Sequence, residues 1–425
     1  MGNSAMVMKR QENGRGALQW WMARARRVRH TQVMESSLPL SHSPQTPRAC
    51  AGPSASSKEE FEAWFRLLES PGVGRRSAAA LIHHWGEIQK VWSAAPAQWA
   101  QVIGPVAAQA LGAAPEAVFL QRQEAAWRWL QGQDECDLPA PRRAITWGAA
   151  DYPKILTQLP DPPLMLYVAG STAAWDRPSL AIVGSRNPTA QGVDHAKAFA
   201  SALSRAGWGV ISGLALGIDA AAHEGALEAQ GPTVAVIGTG PDRVYPRRHR
   251  GLARRIVQSA GAVVSEYPPG SPVRPENFPL RNRIIAGLSR GTLVVEAALE
   301  SGSLITAKLA LDAGREVFAI PGSIHSPQSK GCHALIRQGA KLVETAQDIV
   351  EEFAPDLWST AALSAAPQPV DGRLQLMGHD PVALDTLAWR SGLDVGEVAA
   401  QLLEWELQGL VARLPGGLYQ RRSAG

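Results

Sequence analysis

Hydrophobic positions between residues 58 and 140 recur with the period of an α-helix. The residues that follow the i, i+3, i+4, i+7 spacing of one helix face are Phe61, Trp64, Phe65 and Leu68. A Pro-Gly-Val-Gly segment at 71–74 interrupts the repeat, and a second apolar helical stretch follows it. We therefore predict an all-α domain over residues 58–140.

Beyond residue 145 the pattern changes to short apolar runs, rich in β-branched residues, that alternate with helical stretches. The runs occupy residues 180–185, 208–212, 233–238, 262–266, 292–297 and 316–322. Strands that are apolar throughout and separated by helices form a parallel sheet that is covered on both faces. Residues 145–353 are thus predicted to be an α/β domain with an extended Rossmann-like, doubly wound parallel sheet. Ligands of such sheets bind beyond the carboxyl ends of the strands.

The C-terminal part, residues 373–425, has the element order of a winged helix. Two short helical stretches precede two β runs that are joined by Pro-Gly-Gly, and a segment at 354–372 rich in Pro, Ala and Ser is predicted to be a linker. Acidic residues outnumber the lone Arg390 between 379 and 412, and they are Asp380, Asp385, Asp394, Glu397, Glu404 and Glu406. Because an acidic helix repels a phosphate backbone, we predict that this domain contacts another protein or stabilises the fold. A basic wing at 413–422 that contacts DNA is the alternative interpretation.

Two segments of the N-terminal part have alternative interpretations. The turn at 71–74 is similar to that of a SAM or helix-hairpin-helix unit, whose glycines bring backbone amides close to a phosphate, or it is an ordinary turn between helices. Residues 1–57 mix arginine clusters with Ser and Pro, which predicts disorder or a start codon assigned too early. The tryptophans Trp20 and Trp21 beside these arginines also fit a nucleic-acid or membrane-surface arm.

Charge is distributed unevenly along the 425 residues. Lys and Arg (42) exceed Asp and Glu (38), for a net charge of +4. Residues 1–50 hold 8 basic and 2 acidic residues, so the rest of the chain sums to −2. Within that rest, residues 241–290 carry 10 arginines against 3 acidic residues, which predicts an anion-binding surface.

Cysteine usage and hydropathy exclude several classes of protein. Cys50, Cys136 and Cys332 are too far apart for a disulfide framework or for paired zinc ligands. No window approaches the roughly 18 apolar residues of a membrane span, and no apolar stretch follows the N-terminal arginines. We predict a cytoplasmic protein with no metal, no cofactor and no membrane association.

Four segments at strand ends and helix starts carry the candidate chemistry. They are GSRNPT at 184–189, SGLALGID at 212–219, FPLRNR at 278–283, and GTLVVE at 291–296 together with SGSLIT at 301–306. The dinucleotide and P-loop fingerprints are absent. Glycines at strand ends let a ligand approach the backbone, and helix starts offer free N–H groups to phosphate. Arginines beside a phenylalanine form a combination that stacks a base and holds its phosphate.

In this order, GSRNPT, SGLALGIDAAAH, FPLRNRIIAGLS, ESGSLITAKLA and the Pro-Gly at 321–322 resemble the DprA/Smf family of DNA-processing proteins. The resemblance implies a homodimer that binds single-stranded DNA, without catalysis, and helps to load the RecA recombinase during natural transformation. The DNA contacts that it implies are Gly184, Ser185, Arg186, Ser212, Gly213, Phe278, Arg281, Asn282 and Arg283. Four further residues are expected to support the pocket, namely Asp219, Glu296, Ser301 and Gly302.

Two enzymatic interpretations of the sequence are alternatives to a binding function. Asp219 and His223 lie four residues apart and could form an acid/base pair, or Asp219 could cap the helix after Gly217. The GTLVVE segment is similar to the loop of LOG-type phosphoribohydrolases, which cleave the N-glycosidic bond of a nucleoside monophosphate. Arg290 precedes Gly291 where that loop has glycine, so this hydrolysis, or nucleotide sensing by a Rossmann-like sheet, is the alternative function.

Overall fold

The computed structural model describes residues 57–134, 136, 138–353, 372–378 and 380–422. The predictions for the tail at 1–57 and for the linker at 354–372 therefore lie almost wholly outside the described residues. Within the described ranges, no helix is long and apolar enough to cross a membrane.

The N-terminal domain is helical, as the apolar period predicts. Its helices are α1 (Lys58–Glu69), α2 (Arg75–Trp85), α3 (Ile88–Ser93), α4 (Pro96–Ile103), α5 (Pro105–Gly112) and α6 (Ala117–Leu130). Helix α1 begins after Ser57, whose Oγ accepts a hydrogen bond from the Glu60 amide at 3.2 Å. Phe61, Trp64 and Phe65 of the predicted apolar face are buried in the domain core.

The turn between α1 and α2 depends on glycine for its backbone conformation. Gly72 has a φ of +81°, and a Cβ there would lie 3.1 Å from the Ala110 side chain of α5. Gly74, the residue before α2, is exposed. Gly72 is exposed as well, so both glycines of the turn face solvent, and a phosphate contact by it stays a prediction.

The central domain is built on one nine-stranded sheet. Its strands are β1 (Arg142–Thr146), β2 (Met165–Gly170), β3 (Ser179–Val183), β4 (Gly209–Ser212), β5 (Thr233–Ile237), β6 (Ala262–Ser265), β7 (Gly291–Val294), β8 (Glu316–Ala319) and β9 (Lys341–Leu342). Their order is β1-β2-β6-β5-β4-β3-β7-β8-β9, with parallel pairing from β6 to β9. In register, Ala181 of β3 lies between Ile211 of β4 and Thr292 of β7.

Helices cover both faces of this sheet. They are α7 (Ala190–Arg205), α8 (Ile218–Glu228), α9 (Arg250–Gln258), α10 (Asn277–Gly287), α11 (Gly302–Asp312), α12 (Lys330–Arg337) and α13 (Ala346–Phe353). Along β3, Leu180 and Ile182 pack with α7, α8 and α13, whereas Ala181 and Val183 pack with α10, α11 and α12. Apolar side chains on both sides of one strand confirm the predicted doubly wound fold.

One edge of the sheet departs from the prediction. Strands β1 and β2 pair antiparallel with each other, and β2 pairs antiparallel with β6. Strand β1 begins with Arg142 and Arg143, so it has no apolar run to mark it, and no helix from the α7–α13 set separates it from β2. The prediction depended on strands that alternate with helices, and these two strands lack that alternation.

The C-terminal domain is a winged helix, as predicted. Its elements are α14 (Gly372–Gln375), β10 (Val382–Ala383), α15 (Leu384–Ser391), α16 (Val395–Leu407), β11 (Val411–Leu414) and β12 (Leu418–Arg421), and the strands pair antiparallel. Helix α16 begins at a capping box in which Asp394 and Glu397 each accept a backbone hydrogen bond. The domain contacts α7, because Arg422 forms a bidentate ion pair with Asp194 at 2.6 and 3.0 Å.

Candidate nucleic-acid interface

A cavity of about 540 Å³ opens at the carboxyl ends of the parallel strands. Strand β3 lies between β4 and β7, and the chain winds outward from β3 in both directions, which makes its carboxyl end a topological switch point. The cavity is lined by the loop after β3, by the first turns of α8 and α11, and by α10 from Phe278 to Ile285. We call it the carboxyl-edge cavity.

The loop after β3 presents an arginine to solvent at the cavity. Gly184 must be glycine, because a Cβ there would lie 2.7 Å from Ile218 Cγ1. Ser185 is buried, and its Oγ accepts a hydrogen bond from the Asn187 amide at 3.1 Å, which turns the chain outward. Arg186 and Asn187 are consequently exposed and line the cavity. Among the residues that the structure describes, Arg186 has no ion-pair partner.

A second arginine, Arg281 of α10, lies in the wall of the same cavity and is only 4% exposed. Its Nη1 donates to the carbonyl oxygens of Gly213, at 2.6 Å, and of Val236. Its Nε donates to Asn282 Oδ1 at 3.0 Å. Burial lowers the pKa of Arg281 to about 10, so the guanidinium stays charged at neutral pH. Arg281 therefore supplies a fixed positive charge and orients Asn282, which also lines the cavity.

Asp219 is a buried carboxylate that neighbours Arg281. Its Oδ2 accepts hydrogen bonds from the amides of Gly213 at 3.1 Å and Ala215 at 3.3 Å. Burial raises the pKa of Asp219, and the neighbouring Arg281 opposes that rise. Asp219 thus fixes the loop after β4 and balances Arg281. The predicted helix cap is not formed, because the amides that Asp219 binds belong to the loop before α8 and not to the helix.

The acid/base pair of the enzymatic interpretation is not formed. His223 is fully buried and does not line the cavity, and its Nδ1 lies 2.7 Å from Thr233 Oγ1. Burial lowers the pKa of His223 to about 3, so the ring is neutral at physiological pH. A neutral imidazole without access to the cavity cannot exchange a proton with a ligand there.

Aromatic rings connect the cavity to the basic segment at 241–290. Phe278, in the first turn of α10, lines the cavity, and the Arg281 guanidinium carbon lies 6.0 Å from its ring centroid. The ring of Tyr245 lies 5.5 Å from that of Phe278, and Tyr245 is 47% exposed. Tyr245 belongs to the loop after β5, where Arg247 and Arg248 are also exposed. Cationic and aromatic groups therefore continue outward from the cavity along this loop.

Glu296, the residue on which the hydrolase interpretation depends, is engaged elsewhere. Its carboxylate accepts hydrogen bonds from the Thr189 amide at 2.9 Å and from Thr189 Oγ1 at 2.5 Å. Thr189 Oγ1 in turn accepts from the Gly192 amide, and a Cβ on Gly192 would lie 2.5 Å from the Glu296 carboxyl carbon. Glu296 therefore caps the start of α7, where the helix dipole favours an anion, and it does not line the cavity.

The start of α11 completes the cavity wall. Ser301 and Gly302 both line it, and Ser301 Oγ accepts a hydrogen bond from the Ser303 amide at 3.3 Å. Glu300 and Thr306 also line the cavity, beyond the residues singled out from the sequence, although both fall within the ESGSLITAKLA motif. Tyr245 carried no sequence signal, because its partner Phe278 is far away along the chain.

Four of the predicted site residues lie outside the cavity lining: Ser212, Gly213, Arg283 and Glu296. Ser212 is fully buried, and its Oγ donates to the Ile182 carbonyl at 2.6 Å. Gly213 leaves room for the Arg281 guanidinium and the Asp219 carboxylate, which a Cβ would overlap. Ser212 and Gly213 shape the cavity from behind, and a direct DNA contact by these two residues stays a prediction.

Arg283 belongs to an ion-pair network that joins the first two domains. Its Nη2 donates to Glu266 Oε1 at 2.5 Å, and its Nε lies 3.2 Å from Asp161 Oδ2. Arg75 of α2 pairs with the same two carboxylates, at 3.4 Å from Glu266 and 3.5 Å from Asp161. Burial disfavours the charge, but the two acids together raise the pKa of Arg283. The sequence predicted a phosphate contact for Arg283, but in the structure its guanidinium is paired with protein carboxylates. Its side chain leaves α10 on the face that packs against other protein groups.

Nothing in the described residues suggests a metal centre, since no group of three or more His, Cys, Asp and Glu side chains could hold an ion. The fold and the cavity define a doubly wound α/β protein with a cationic, aromatic-lined site at its switch point.

Comparison with known proteins places this architecture in a family. The model for "DNA recombination-mediator protein A" matches residues 143–354, and the model for the "DprA winged helix domain" matches residues 359–417. Protein Smf of Escherichia coli is 44% identical over 283 residues, which cover 64% of this chain and 76% of that protein. Protein Smf of Synechocystis is 32% identical over 406 residues, covering 84% and 98%.

A solved structure agrees with this result. The X-ray structure of DNA processing protein A from Streptococcus pneumoniae is 35% identical to this chain, covers 69% of it and 98% of its own chain, and superposes with a TM-score of 0.57. The chain belongs to the DprA/Smf family.

Proposed function

We propose that this protein is a DNA-processing protein that binds single-stranded DNA in the carboxyl-edge cavity. Relatives from Streptococcus pneumoniae and Bacillus subtilis, 46% and 43% identical, bear the name DNA processing protein DprA. The proposal rests chiefly on one observation, which is that Arg186, Arg281 and Phe278 line the same cavity.

Each of these groups has a distinct role in the proposed complex. Arg186 is exposed and without an ion-pair partner among the described residues, so its guanidinium is available to a phosphate. Phe278 offers a ring face on which a base can stack, which requires an unpaired base. Arg281 is too buried to leave its carbonyl partners, so it acts through its charge and through Asn282. Stacking and phosphate neutralisation are both tolerant of base identity, so we expect little sequence preference and strong salt dependence.

The proposed mechanism is binding without catalysis. Glu296, which aligns with the catalytic loop of the hydrolase alternative, has both carboxylate oxygens occupied by Thr189. His223 is buried away from the cavity. We therefore favour binding over nucleoside monophosphate hydrolysis, and no observation favours a nucleotide-sensing role for this cavity over DNA binding.

Loading of the RecA recombinase, homodimer formation and a part in natural transformation belong to the same proposal. They are supported by membership of the DprA/Smf family and by the sequence motifs that first indicated it. Partners of this kind, a DNA strand and a recombinase, imply that the protein acts in the cytoplasm.

The decisive experiment compares a labelled poly-dT strand with a duplex of equal length at two salt concentrations, and assays nucleoside monophosphate hydrolysis on the same sample. We expect tight, salt-sensitive binding of the single strand, weaker binding of the duplex and no turnover. Turnover of the nucleotide with weak DNA binding would establish the hydrolase alternative and refute the proposal.

A further inference from the structure

A second cavity, of about 470 Å³, lies at the opposite edge of the sheet, where the parallel strands begin. Its lining includes Ser179, the first residue of β3, and Arg290, which directly precedes β7. None of its lining residues lines the carboxyl-edge cavity. We call it the amino-edge cavity.

Positive charge without a protein partner gathers in the amino-edge cavity. Lys154, Arg177 and Arg290 line it, are exposed, and form no ion pair within the described residues. The acidic residues of the lining are Asp151 and Asp176, and Asp151 lies 3.7 Å from Arg143. The lining therefore keeps a positive charge that an anion can balance.

A fourth cation lies behind the wall of this cavity. Arg315 is half-buried, and its Nη2 donates to the carbonyl of Ile155, a lining residue, at 3.0 Å. Its Nε is buried without a hydrogen-bond partner in the described structure. Burial, and then repulsion by Arg290, lower the pKa of Arg315, which is the response expected where like charges crowd together.

Helix ends do not account for this charge. The carboxyl end of α10 at Gly287 precedes Arg290 by three residues, and a cation there complements the helix dipole. A helix end carries only about half an elementary charge. Lys154 and Arg177 follow no α-helix, so at least two cations remain unexplained by helix dipoles.

An aromatic ring stands beside these cations. Trp175 lines the cavity and is half-buried, and a short 3₁₀ turn at Thr172–Ala174, capped by the Ser171 hydroxyl, holds it in place. An indole face next to guanidinium groups is the arrangement that accepts a planar base together with its phosphate.

We propose that the amino-edge cavity binds a nucleotide, with the base on Trp175 and the phosphate held by Arg177, Arg290 and Lys154. The nucleotide is either free in solution or one unit of a DNA strand, and the chemistry of recognition is the same. This second site stands whether or not the carboxyl-edge cavity binds DNA, because the two cavities share no lining residue.

The test uses photo-crosslinking, which reports position as well as binding. The full-length protein is irradiated with 5-iodo-dUMP, or with a poly-dT strand that carries one 5-iodo-dU, and crosslinked peptides are mapped by mass spectrometry. We expect a crosslink to the peptide that contains Trp175. The double variant Arg177→Ala/Arg290→Ala should reduce its yield at limiting probe roughly tenfold or more, since each lost guanidinium contact to a phosphate weakens binding several-fold.

The matched control is Arg205→Ala. Arg205 is an exposed arginine in the last turn of α7, at the same edge of the sheet but outside the cavity lining, so its removal should leave the crosslink unchanged. A crosslink at Trp175 from 5-iodo-dUMP identifies a free nucleotide, and one seen only with the strand identifies a DNA unit. Absence of the crosslink with both probes, or full yield in the double variant, overturns the proposal. Crosslinks at Phe278 or Tyr245 report separately on the carboxyl-edge cavity.

Discussion

Arg281 and Arg283 leave the same helix, α10, two residues apart, and meet opposite surroundings. Arg281 lines the carboxyl-edge cavity and donates to backbone carbonyls and to Asn282. Arg283 points into the junction with the helical domain and pairs with Glu266 and Asp161. Its charge is therefore balanced by two carboxylates at the domain junction, whereas Arg281 lies in the wall of the cavity with the buried Asp219 beside it. Two arginines of one sequence motif thus have different surroundings. We propose a role in binding for Arg281 and one in domain assembly for Arg283, and only their direction from the helix separates the two.

The largest effect is expected from Arg281→Met. The change leaves the buried Asp219 carboxylate without its neighbouring cation and two carbonyl oxygens without a donor, so we expect a loss of about 3 kcal/mol in the free energy of unfolding. Denaturant unfolding measures this. Arg281→Lys, which keeps the charge, should lose clearly less, and equal losses in both variants would show that the charge does not matter.

A smaller loss is expected from Arg283→Met, because Glu266 keeps its second partner, Arg75. We expect about 2 kcal/mol in the free energy of unfolding and unchanged affinity for poly-dT. Measured together, the free energy of unfolding and the affinity for poly-dT show whether Arg283, unlike Arg281, acts only on stability. Weaker DNA binding by well-folded Arg283→Met would place Arg283 in the binding site and abolish the distinction between the two faces of α10.

Phe278→Ala should weaken the binding of single-stranded DNA. Loss of base stacking costs about 1–3 kcal/mol per base, so the affinity for poly-dT should fall roughly tenfold. Fluorescence anisotropy at constant salt measures the change. Phe278→Tyr keeps a ring in the same place and should retain most of the affinity, whereas an equal loss in both variants would contradict stacking.

The smallest effect is expected from Arg186→Ala. Arg186 is exposed, so the free energy of unfolding should change by less than about 0.5 kcal/mol. One lost phosphate contact should lower the slope of log affinity against log salt by about one unit. Titrations at several salt concentrations measure that slope, with Arg205→Ala as the control. An unchanged slope would remove Arg186 from the interface.

The fold class followed from local pattern, and the parts that escaped prediction depend on distant residues. The alternation of apolar runs with helices correctly predicted the doubly wound sheet, since each parallel strand must be covered on both faces. Strands β1 and β2 escaped because they pair with each other and with β6 without intervening helices of that pattern. Antiparallel strands added at one side of a sheet are recognised by their pairing partners, which a single sequence does not reveal.

The candidate site also has residues whose position follows from the local sequence and residues whose position depends on distant parts of the chain. The exposure of Arg186 follows from a strand end and a turn within six residues, so local reasoning could find it. The burial of Arg281 depends on carbonyl oxygens 68 and 45 residues away in sequence. The partner set of Arg283 includes Asp161, 122 residues away. Residue type and spacing therefore predicted which segments meet, but not which side chains of those segments line the cavity.

Gly192 and Glu296 illustrate a constraint that acts on two positions at once. A methyl group on residue 192 would occupy the space of the Glu296 carboxyl group, and the carboxylate must reach that far to bind Thr189. An alanine at 192 is compatible with the fold only if the side chain at 296 withdraws and Thr189, the N-cap of α7, loses its carboxylate partner. A substitution at one of the two positions is therefore tolerated only together with a change at the other. We expect substitutions at 192 and 296 to co-vary among related sequences.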